Sequence, residues 1–204
     1  MTTLVRGPVH PANETLQAAG IPAVLARIYA SRGIVSMAEL DHSLRALPAY
    51  APMRGIDEAA SRLCRAIAQG ERIVIVADYD ADGATACAVG VRGLRALGAT
   101  VDFIVPNRFE YGYGLTPEIV ELAARLAPRL LVTVDNGIAS LDGVRAATAR
   151  DIDVLITDHH LPGPELPAPA MCLLANPQPG WLGLTMIAGV GVMFYVLFLS
   201  LIHI

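Results

Sequence analysis

Short apolar runs recur along the chain, and stretches with helical periodicity separate them. Runs of this length are typical of strands that are buried on both faces of a parallel sheet. In the stretches between them, apolar residues recur every three or four positions, as at Cys87, Val91 and Leu94 before Gly98. The pattern predicts an α/β fold, a Rossmann-like, open, mainly parallel five-stranded sheet with helices on both faces. The predicted strands are residues 73–76, 101–105, 130–134, 152–156 and, more weakly, 172–175.

A small helical segment precedes the alternating region. The apolar positions that mark its first helix are Ile21, Val24, Leu25 and Ile28. This helix is predicted to end near Gly33, and the spacing of Ser36 and Glu39 is that of a capping box, which predicts a second helix. The predicted domains are a helical N-terminal segment, residues 1–55, and the α/β domain, residues 56–204.

The cysteines indicate a reducing compartment. Cys64, Cys87 and Cys172 are odd in number, lie far apart and fall inside apolar stretches, so neither a disulfide framework nor a CxxC metal site is indicated. The N-terminus lacks the basic start, apolar stretch and small-residue cleavage site of a secretory signal. The expected location is therefore cytoplasmic.

The overall charge bears on the kind of partner. A formal net charge of −4 disfavours a nucleic-acid ligand at first sight, because proteins that bind phosphate backbones usually carry a basic surface. Two bound divalent cations would offset that charge and would lie where a substrate phosphate must approach. The charge therefore does not exclude a nucleic-acid partner.

Polar residues that can bind metal or phosphate follow the four stronger strands. They are Asp78, Asp80 and Asp82 after the first, Asn107 and Arg108 after the second, Asp135 and Asn136 after the third, and Asp158, His159 and His160 after the fourth. The weak fifth strand leads to Asn176 and Pro177. Because open parallel sheets bind ligands at the carboxyl ends of their strands, these side chains are predicted to converge at one edge.

The acids and histidines together predict a metal centre. Asp78, Asp80 and Asp82 stand at alternating positions and would repel one another unless cations neutralise them or some are protonated. Carboxylates with one or two imidazoles suit Mn²⁺ or Mg²⁺ better than a structural zinc site, which favours thiolates. A pair of such ions, about 3.5 to 4 Å apart, can activate water, orient the phosphorus and stabilise the leaving oxygen. The residues therefore predict a metal-dependent phosphoesterase.

Each cluster also has an ordinary explanation when it is taken alone. An aspartate-rich strand end is often a turn or a helix cap, residues 135–137 have the sequence of a common turn, and a histidine pair often lies in a plain loop. Their joint placement at consecutive strand ends favours a functional site. A calcium EF-hand at residues 78–83 is disfavoured, because Val89 replaces the glutamate required at the twelfth position and no helix precedes the loop.

Two features near the C-terminus allow more than one interpretation. Gly189 and Gly191 resemble part of a dinucleotide-binding loop, but the third glycine is missing, so close helix packing is the preferred interpretation. The uncharged run 182–204 is long enough for a transmembrane helix. Its glycines favour a buried helix instead, and no membrane association is expected.

Five sequence segments occur in a set order: ADYDADG at 77–83, PNRFEYGYGL at 106–115, VTVDNGI at 132–138, TDHHLPG at 157–163 and AGVGVMFY at 188–195. With these segments the chain resembles the DHH phosphoesterase superfamily and, within it, the RecJ single-strand-specific DNA exonucleases. The resemblance implies a Mn²⁺- or Mg²⁺-dependent 5′ to 3′ exonuclease that releases mononucleotides in DNA repair and recombination. Its implied partner is single-stranded DNA, with repair or replication proteins of unknown identity as further candidates.

The resemblance also implies a set of metal ligands. They would be Asp80, Asp82, Asp135 and His159, with Asp78 completing or supporting this set. Asp135 is expected to bridge two ions.

The remaining site residues would act on the substrate. The resemblance implies that His160 faces the scissile phosphate as a proton donor or charge stabiliser, and that Asp158 orients the histidine pair. Substrate contacts are expected from Arg108, Asn136 and Tyr113. Arg108 suits a phosphate because its guanidinium is bidentate, and a strand-end salt bridge is its alternative role.

The chain departs from the family in its length. Family members continue into another metal-binding aspartate, a second domain and an oligonucleotide-binding module, so the chain is expected to be a fragment truncated at its C-terminus that folds and is a poor nuclease. Two other functions stay open: a phosphodiesterase or phosphatase for small nucleotides, and a catalytically silent DHH scaffold. The intact motif acids and histidines disfavour the scaffold.

Overall fold

The structure, a computed structural model, describes residues 7–41, 43–51, 53–174 and 187–203. The chain divides into two compact units, residues 1–48 and 49–204. The second unit contains the sheet and every residue of the predicted site.

The N-terminal unit is built on two helices, α1 (Ala12–Ala18) and α2 (Ala23–Ser31). Their buried contact consists of Ala12, Leu16, Ala26 and Ala30. The predicted helix is present as α2, but three of the apolar side chains that marked it, Val24, Leu25 and Ile28, are exposed in this unit, Val24 by 72%, and only Ile21 packs against the buried cluster. The small alanine face lets α1 approach closely, so the helix buries that face instead. After it, Ser36 caps a short 3₁₀ helix, Met37–Leu40, rather than an α-helix.

The sheet of the second unit contains five strands: β1 (Arg72–Ala77), β2 (Thr100–Ile104), β3 (Leu130–Val134), β4 (Asp153–Asp158) and β5 (Met171–Leu174). Every neighbouring pair is parallel, and the order across the sheet is β2-β1-β3-β4-β5. The predicted five-stranded parallel sheet is confirmed.

The fourth strand differs from its predicted bounds. Its ladder continues through the polar Thr157 and Asp158, which pair with β3 and β5. Ile152, which was predicted to begin the strand, donates its N–H to the carbonyl of Ala147 at the end of the preceding helix. The apolar run marks only the part of a strand that contacts the core, whereas backbone pairing sets where the strand ends. Residues 175–177 lie outside the described part of the chain.

In the described residues six helices accompany the sheet: α3 (Ile56–Ala68), α4 (Ala81–Ala96), α5 (Arg108–Tyr111), α6 (Pro117–Ala124), α7 (Leu141–Thr148) and α8 (Gly189–His203). Helices α3, α4 and α8 pack on the face that carries Ile73 and Ile75. Helices α6 and α7 pack on the face that carries Val74 and Val76. Alternate residues of β1 are thus buried on opposite faces, and the predicted arrangement of helices on both faces is confirmed.

The last helix lies inside the core of this unit. Val192, Met193 and Val196 of α8 are fully buried and belong to the same apolar cluster as residues of α3 and α4. Within the described ranges, no helix has both the length and the apolar character needed to cross a membrane. The first turn of α8 lies at the carboxyl edge of the sheet, where the N–H of Gly189 donates to Asp82.

The strand order creates a crevice at that edge. In the order β2-β1-β3, the chain leaves β1 toward one side for β2 and returns on the other side as β3. Such a switch point is where open α/β sheets bind ligands, because the flanking loops diverge there. Ala77 of β1 is paired with Val134 of β3, so the residues that follow them lie side by side.

Candidate metal centre

Three aspartates continue the ladder at the ends of three neighbouring strands. The N–H of Asp78 donates to the carbonyl of Val134 at 3.2 Å, and the N–H of Asp135 donates to the carbonyl of Thr157 at 2.9 Å. Asp158 is the last residue of β4. Residues that are far apart in the sequence therefore meet at one edge, as the strand-end argument predicted.

The carboxylates and imidazoles form two groups that share one residue. One ligand atom from each of Asp78, Asp80 and Asp135 lies within 4.8 Å of the others, and the same holds for Asp135, His159 and His160. The Nε2 atom of His159 lies 3.0 Å from Oδ1 of Asp135. Asp135 thus stands between the two groups, which is the position that its expected bridging role requires.

Asp135 is held in an unfavourable state without a cation. It is 1% exposed, its φ of 63° lies in the left-handed region, and its Oδ1 atom makes no hydrogen bond in the described residues. Burial and the negative charges of Asp82 and Asp80 raise the pKa of Asp135 to about 7. A buried carboxylate oxygen that makes no hydrogen bond, and that lies beside an imidazole and among other acids, is an environment that a divalent cation would stabilise. The residues therefore fit a metal ion of the hard, oxygen-preferring kind.

Metal affinity is expected to rise as the pH increases through about 7, because a cation must displace the proton held by Asp135. Calorimetric titration with Mn²⁺ on both sides of this pH, in buffers of different ionisation enthalpy, will detect the released proton. The Asp135→Asn variant is expected to release fewer protons on binding Mn²⁺ than the original chain. An affinity that stays constant across the range would contradict the assignment.

Asp80 and Asp82 also organise two helices. Oδ1 of Asp80 accepts the N–H groups of Asp82 and Gly83, each at 3.0 Å, and so caps α4. The Gly83 amide is the main cause of the lowered pKa of Asp80. The carboxylate of Asp82 accepts the N–H groups of Gly189 at 2.7 Å and Val190 at 2.9 Å. Asp82 lies 3.5 Å from His159 Nε2, beside both groups.

The predicted phosphate ligand Arg108 contacts an acid of the site. Its Nη2 atom donates to both oxygens of Asp78, at 2.7 and 2.8 Å, and its guanidinium lies 5.3 Å from the ring centre of Tyr113. The salt bridge that was the alternative for Arg108 is therefore formed. Its physical reason is that Asp78 is buried and needs a positive partner. The arginine side chain itself remains 43% exposed at the rim of the site.

Asp158 fixes the histidine pair. Its Oδ1 atom accepts the N–H of His159 at 2.8 Å and that of His160 at 3.1 Å, and it lies 2.7 Å from Nδ1 of His160. Its Oδ2 atom accepts the N–H of Ile138 at 3.0 Å. Burial lowers the pKa of His160, but the hydrogen bond and the charge of Asp158 outweigh it and raise the pKa above its ordinary value. With Nδ1 held by Asp158, Nε2 is the ring nitrogen that remains for other partners.

The predicted substrate ligand Asn136 lies elsewhere than expected. It is 2% exposed, and its side-chain amide donates to the carbonyls of Val76 at 3.1 Å and Val134 at 2.9 Å. It therefore joins the ends of β1 and β3 instead of facing the solvent. A direct contact with substrate is not supported in this arrangement, because the side chain points at the sheet.

An open cleft of about 600 Å³ adjoins the acids. Its polar wall includes Asp78, Arg108, Tyr113 and His160, and its other side is formed largely by apolar residues of the loops before α6 and α7. The hydroxyl of Tyr113 lies 3.3 Å from Nδ1 of His160. A cleft of this size can accept a nucleotide-sized ligand with its phosphate toward the acids.

The sequence from residue 72 to residue 202 matches the model of the DHH family, N-terminal domain. The chain belongs to the DHH family. The predicted family is thereby confirmed. The matched residues include all the acids and histidines described above, among them Asp158 at the end of β4 and the two histidines that follow it.

The curated relatives of this DHH chain include named exonucleases. The single-stranded-DNA-specific exonuclease RecJ of Dickeya dadantii (strain 3937) is 48% identical over 189 residues, which are 92% of this chain and 33% of that protein. The protein of the same name from Escherichia coli (strain K12) is 44% identical over 180 residues, 88% of this chain and 31% of that protein. The chain thus spans about a third of the length of the curated relatives it matches.

Solved structures show the same relationship. The crystal structure of an exonuclease RecJ bound to manganese matches with a TM-score of 0.70 at 38% identity, over 77% of this chain and 40% of that chain. The structure of RecJ in complex with Mn²⁺ from Thermus thermophilus matches with a TM-score of 0.71 at 33% identity, over 94% of this chain and 27% of that chain.

Some parts of the site come from backbone groups that sequence inspection does not reveal. The N–H groups of Ile138, Gly189 and Val190 hold Asp158 and Asp82, yet a backbone donor has no side-chain signature. Gly83 is also required, since a Cβ there would lie 2.5 Å from the carbonyl oxygen of Asp78. The sequence signal that could have pointed to these contacts is Gly83 in segment 77–83 and Gly189 in segment 188–195.

Proposed function

We propose that this chain supplies the catalytic core of a single-stranded-DNA-specific 5′ to 3′ exonuclease that acts in DNA repair and recombination. The observation that carries the proposal is the set of strand-end carboxylates around the buried Asp135, whose Oδ1 makes no hydrogen bond and lies 3.0 Å from Nε2 of His159. The names of the relatives support a nucleic-acid substrate over other phosphoesters.

The proposed cofactor is Mn²⁺ or Mg²⁺, bound as two ions. Asp78, Asp80 and Asp135 would hold one ion, and Asp135 and His159, with Asp82 beside them, would hold the other. When bound, such ions supply a water of lowered pKa and positive charge for the phosphate oxygens. RecJ structures contain manganese or Mg²⁺, which supports these two metals.

The protein's own residues bind and orient the substrate. Arg108, at the rim of the cleft, can exchange Asp78 for a phosphate oxygen, because its guanidinium is exposed and bidentate. Tyr113 stands between Arg108 and His160 and limits where the phosphate can lie. The proposed substrate is single-stranded DNA, and repair or replication proteins are proposed as further partners.

His160 is the proposed proton donor. The raised pKa favours its doubly protonated ring, in which Nδ1–H donates to Asp158 and Nε2–H is available to the leaving oxygen. Asp158 would stabilise the charged ring and keep its orientation, because its own position is fixed by three backbone N–H groups.

We also propose a cytoplasmic location, which the unbridged cysteines Cys64 and Cys87 support.

The test is hydrolysis of single-stranded oligonucleotides in Mn²⁺. A 5′-labelled strand is expected to release labelled mononucleotide from the start of the reaction, and a 3′-labelled strand is expected to shorten gradually. The same strand in a duplex will react more slowly, and chelation of the metal will stop the reaction. Faster hydrolysis of dinucleotides than of long strands would favour the small-nucleotide phosphodiesterase instead. The absence of both metal-dependent hydrolysis and calorimetric Mn²⁺ binding would favour the silent scaffold.

A further inference from the structure

The first turn of α8 forms one wall of the proposed metal centre. The N–H of Gly189 lies 2.7 Å from Oδ2 of Asp82, and the N–H of Val190 lies 2.9 Å from Oδ1. Both oxygens of this carboxylate are therefore held by donors of one helix. The positive end of the helix dipole points at the same carboxylate and offsets part of the repulsion among the acids.

Gly189 also contacts the other acid of the site. A Cβ atom at this position would lie 2.6 Å from Oδ1 of Asp135 and 2.8 Å from its Cβ and Cγ atoms. These separations are shorter than atoms can tolerate, so either the helix or Asp135 would have to move. Asp135 cannot move easily, because it is buried and its N–H is bonded to Thr157 of β4. The helix cannot move easily either, because its next turns bury Val192, Met193 and Val196 in the core.

We infer that the first turn of α8 is a positioning element of the metal centre, and that residue 189 must be glycine because Asp135 occupies the space of a side chain. This inference rests on the proposed function of the site. The helix orients Asp82 with two amide donors but gives none to Oδ1 of Asp135, which stays available for a cation. Any side chain at position 189 would displace the carboxylate that belongs to both ligand groups.

The matched pair of variants is Gly189→Ala and Gly191→Ala. Both glycines lie in the first turn of α8, and alanine favours helix at either position. The three atoms nearest to a Cβ at Gly191 all belong to the side chain of Ile187, with Cγ1 at 2.8 Å, so this change crowds an apolar neighbour instead of Asp135. Calorimetric titration with Mn²⁺ is expected to show a loss of affinity of roughly 10- to 100-fold for Gly189→Ala, as for other residues that orient ligands. The Gly191→Ala protein is expected to bind like the original.

A second measurement separates positioning from a general need for glycine. Gly189→Ala is made in the original chain and in an Asp135→Gly background, which removes the clashing atoms and suits the left-handed φ of 63°. Urea unfolding without metal is expected to show a lowered midpoint for Gly189→Ala in the original chain and almost no change in the Asp135→Gly background. If Gly189→Ala prevents folding in the original chain, recovery of folding in the Asp135→Gly background would also show that the alanine clashes with Asp135.

An equal loss of stability in both backgrounds, or failure of both to fold, would overturn the inference. Equal Mn²⁺ affinity of Gly189→Ala and Gly191→Ala would overturn it as well. If the original chain binds no Mn²⁺ at all, the proposed function fails, and the metal-free unfolding cycle still decides whether Gly189 accommodates Asp135.

Discussion

Replacing Asp135 with asparagine will lower Mn²⁺-dependent hydrolysis by roughly a thousandfold or more, because a metal ligand contributes several kcal/mol to the transition state. Asp135 belongs to both ligand groups, so its loss affects both proposed ions. Asparagine has the same shape but carries no charge, and its NH₂ group would face the cation or the other acids. Mn²⁺ affinity is expected to fall together with turnover.

The control for this variant is Asp102→Asn. Asp102 lies on the edge strand β2, pairs with Arg72 and is partly exposed, so the change removes one acid that belongs to neither ligand group. Turnover of single-stranded DNA and calorimetric Mn²⁺ binding are measured for both proteins under the same conditions. Full activity of Asp135→Asn, or an equal loss in Asp102→Asn, would refute the assignment of the centre.

Replacing His160 with glutamine will reduce kcat by roughly 10²- to 10⁴-fold, the usual contribution of a general acid, while Mn²⁺ affinity changes little. The reason is that Nδ1 of His160 is held by Asp158, so the ring acts on the substrate through Nε2. The matched change His159→Gln is expected to do the opposite and lower Mn²⁺ affinity, because His159 Nε2 lies 3.0 Å from Asp135.

The two histidine variants are compared at saturating Mn²⁺, where a defect in metal binding is removed and a defect in proton transfer persists. Circular dichroism of both proteins checks that the fold is kept. If His160→Gln loses metal affinity as strongly as His159→Gln, then His160 is a metal ligand and the division of roles proposed here is wrong.

The central strands β1, β3 and β4 could be predicted from the sequence because they are buried on both faces. Each of them therefore contains a continuous apolar run, and the polar residues that follow it mark the functional edge. The meeting of residues 78, 135 and 158 follows from that rule once the strands are parallel. The alternation of helices and strands indicates that the strands are parallel, since the crossover between two parallel strands is usually a helix.

The partners of individual side chains could not be predicted in the same way. Arg108 pairs with Asp78 and Asn136 joins β1 to β3 only because β1 lies between β2 and β3, and the apolar runs do not encode that order. The contact of α8 with Asp82 depends on backbone donors, which every residue except proline carries. In α2, periodicity predicts the helix but not the face that another helix covers, since Ala26 is buried and Val24 is exposed.

The most direct test of the central claim, that the strand-end acids hold divalent cations, is anomalous X-ray diffraction from crystals of this chain grown or soaked in Mn²⁺. We expect two anomalous peaks at the carboxyl edge of the sheet, both touching Asp135, one beside Asp78 and Asp80 and the other beside His159. The absence of any peak at this edge in crystals whose solution contains Mn²⁺, or peaks that avoid Asp135, would contradict the claim.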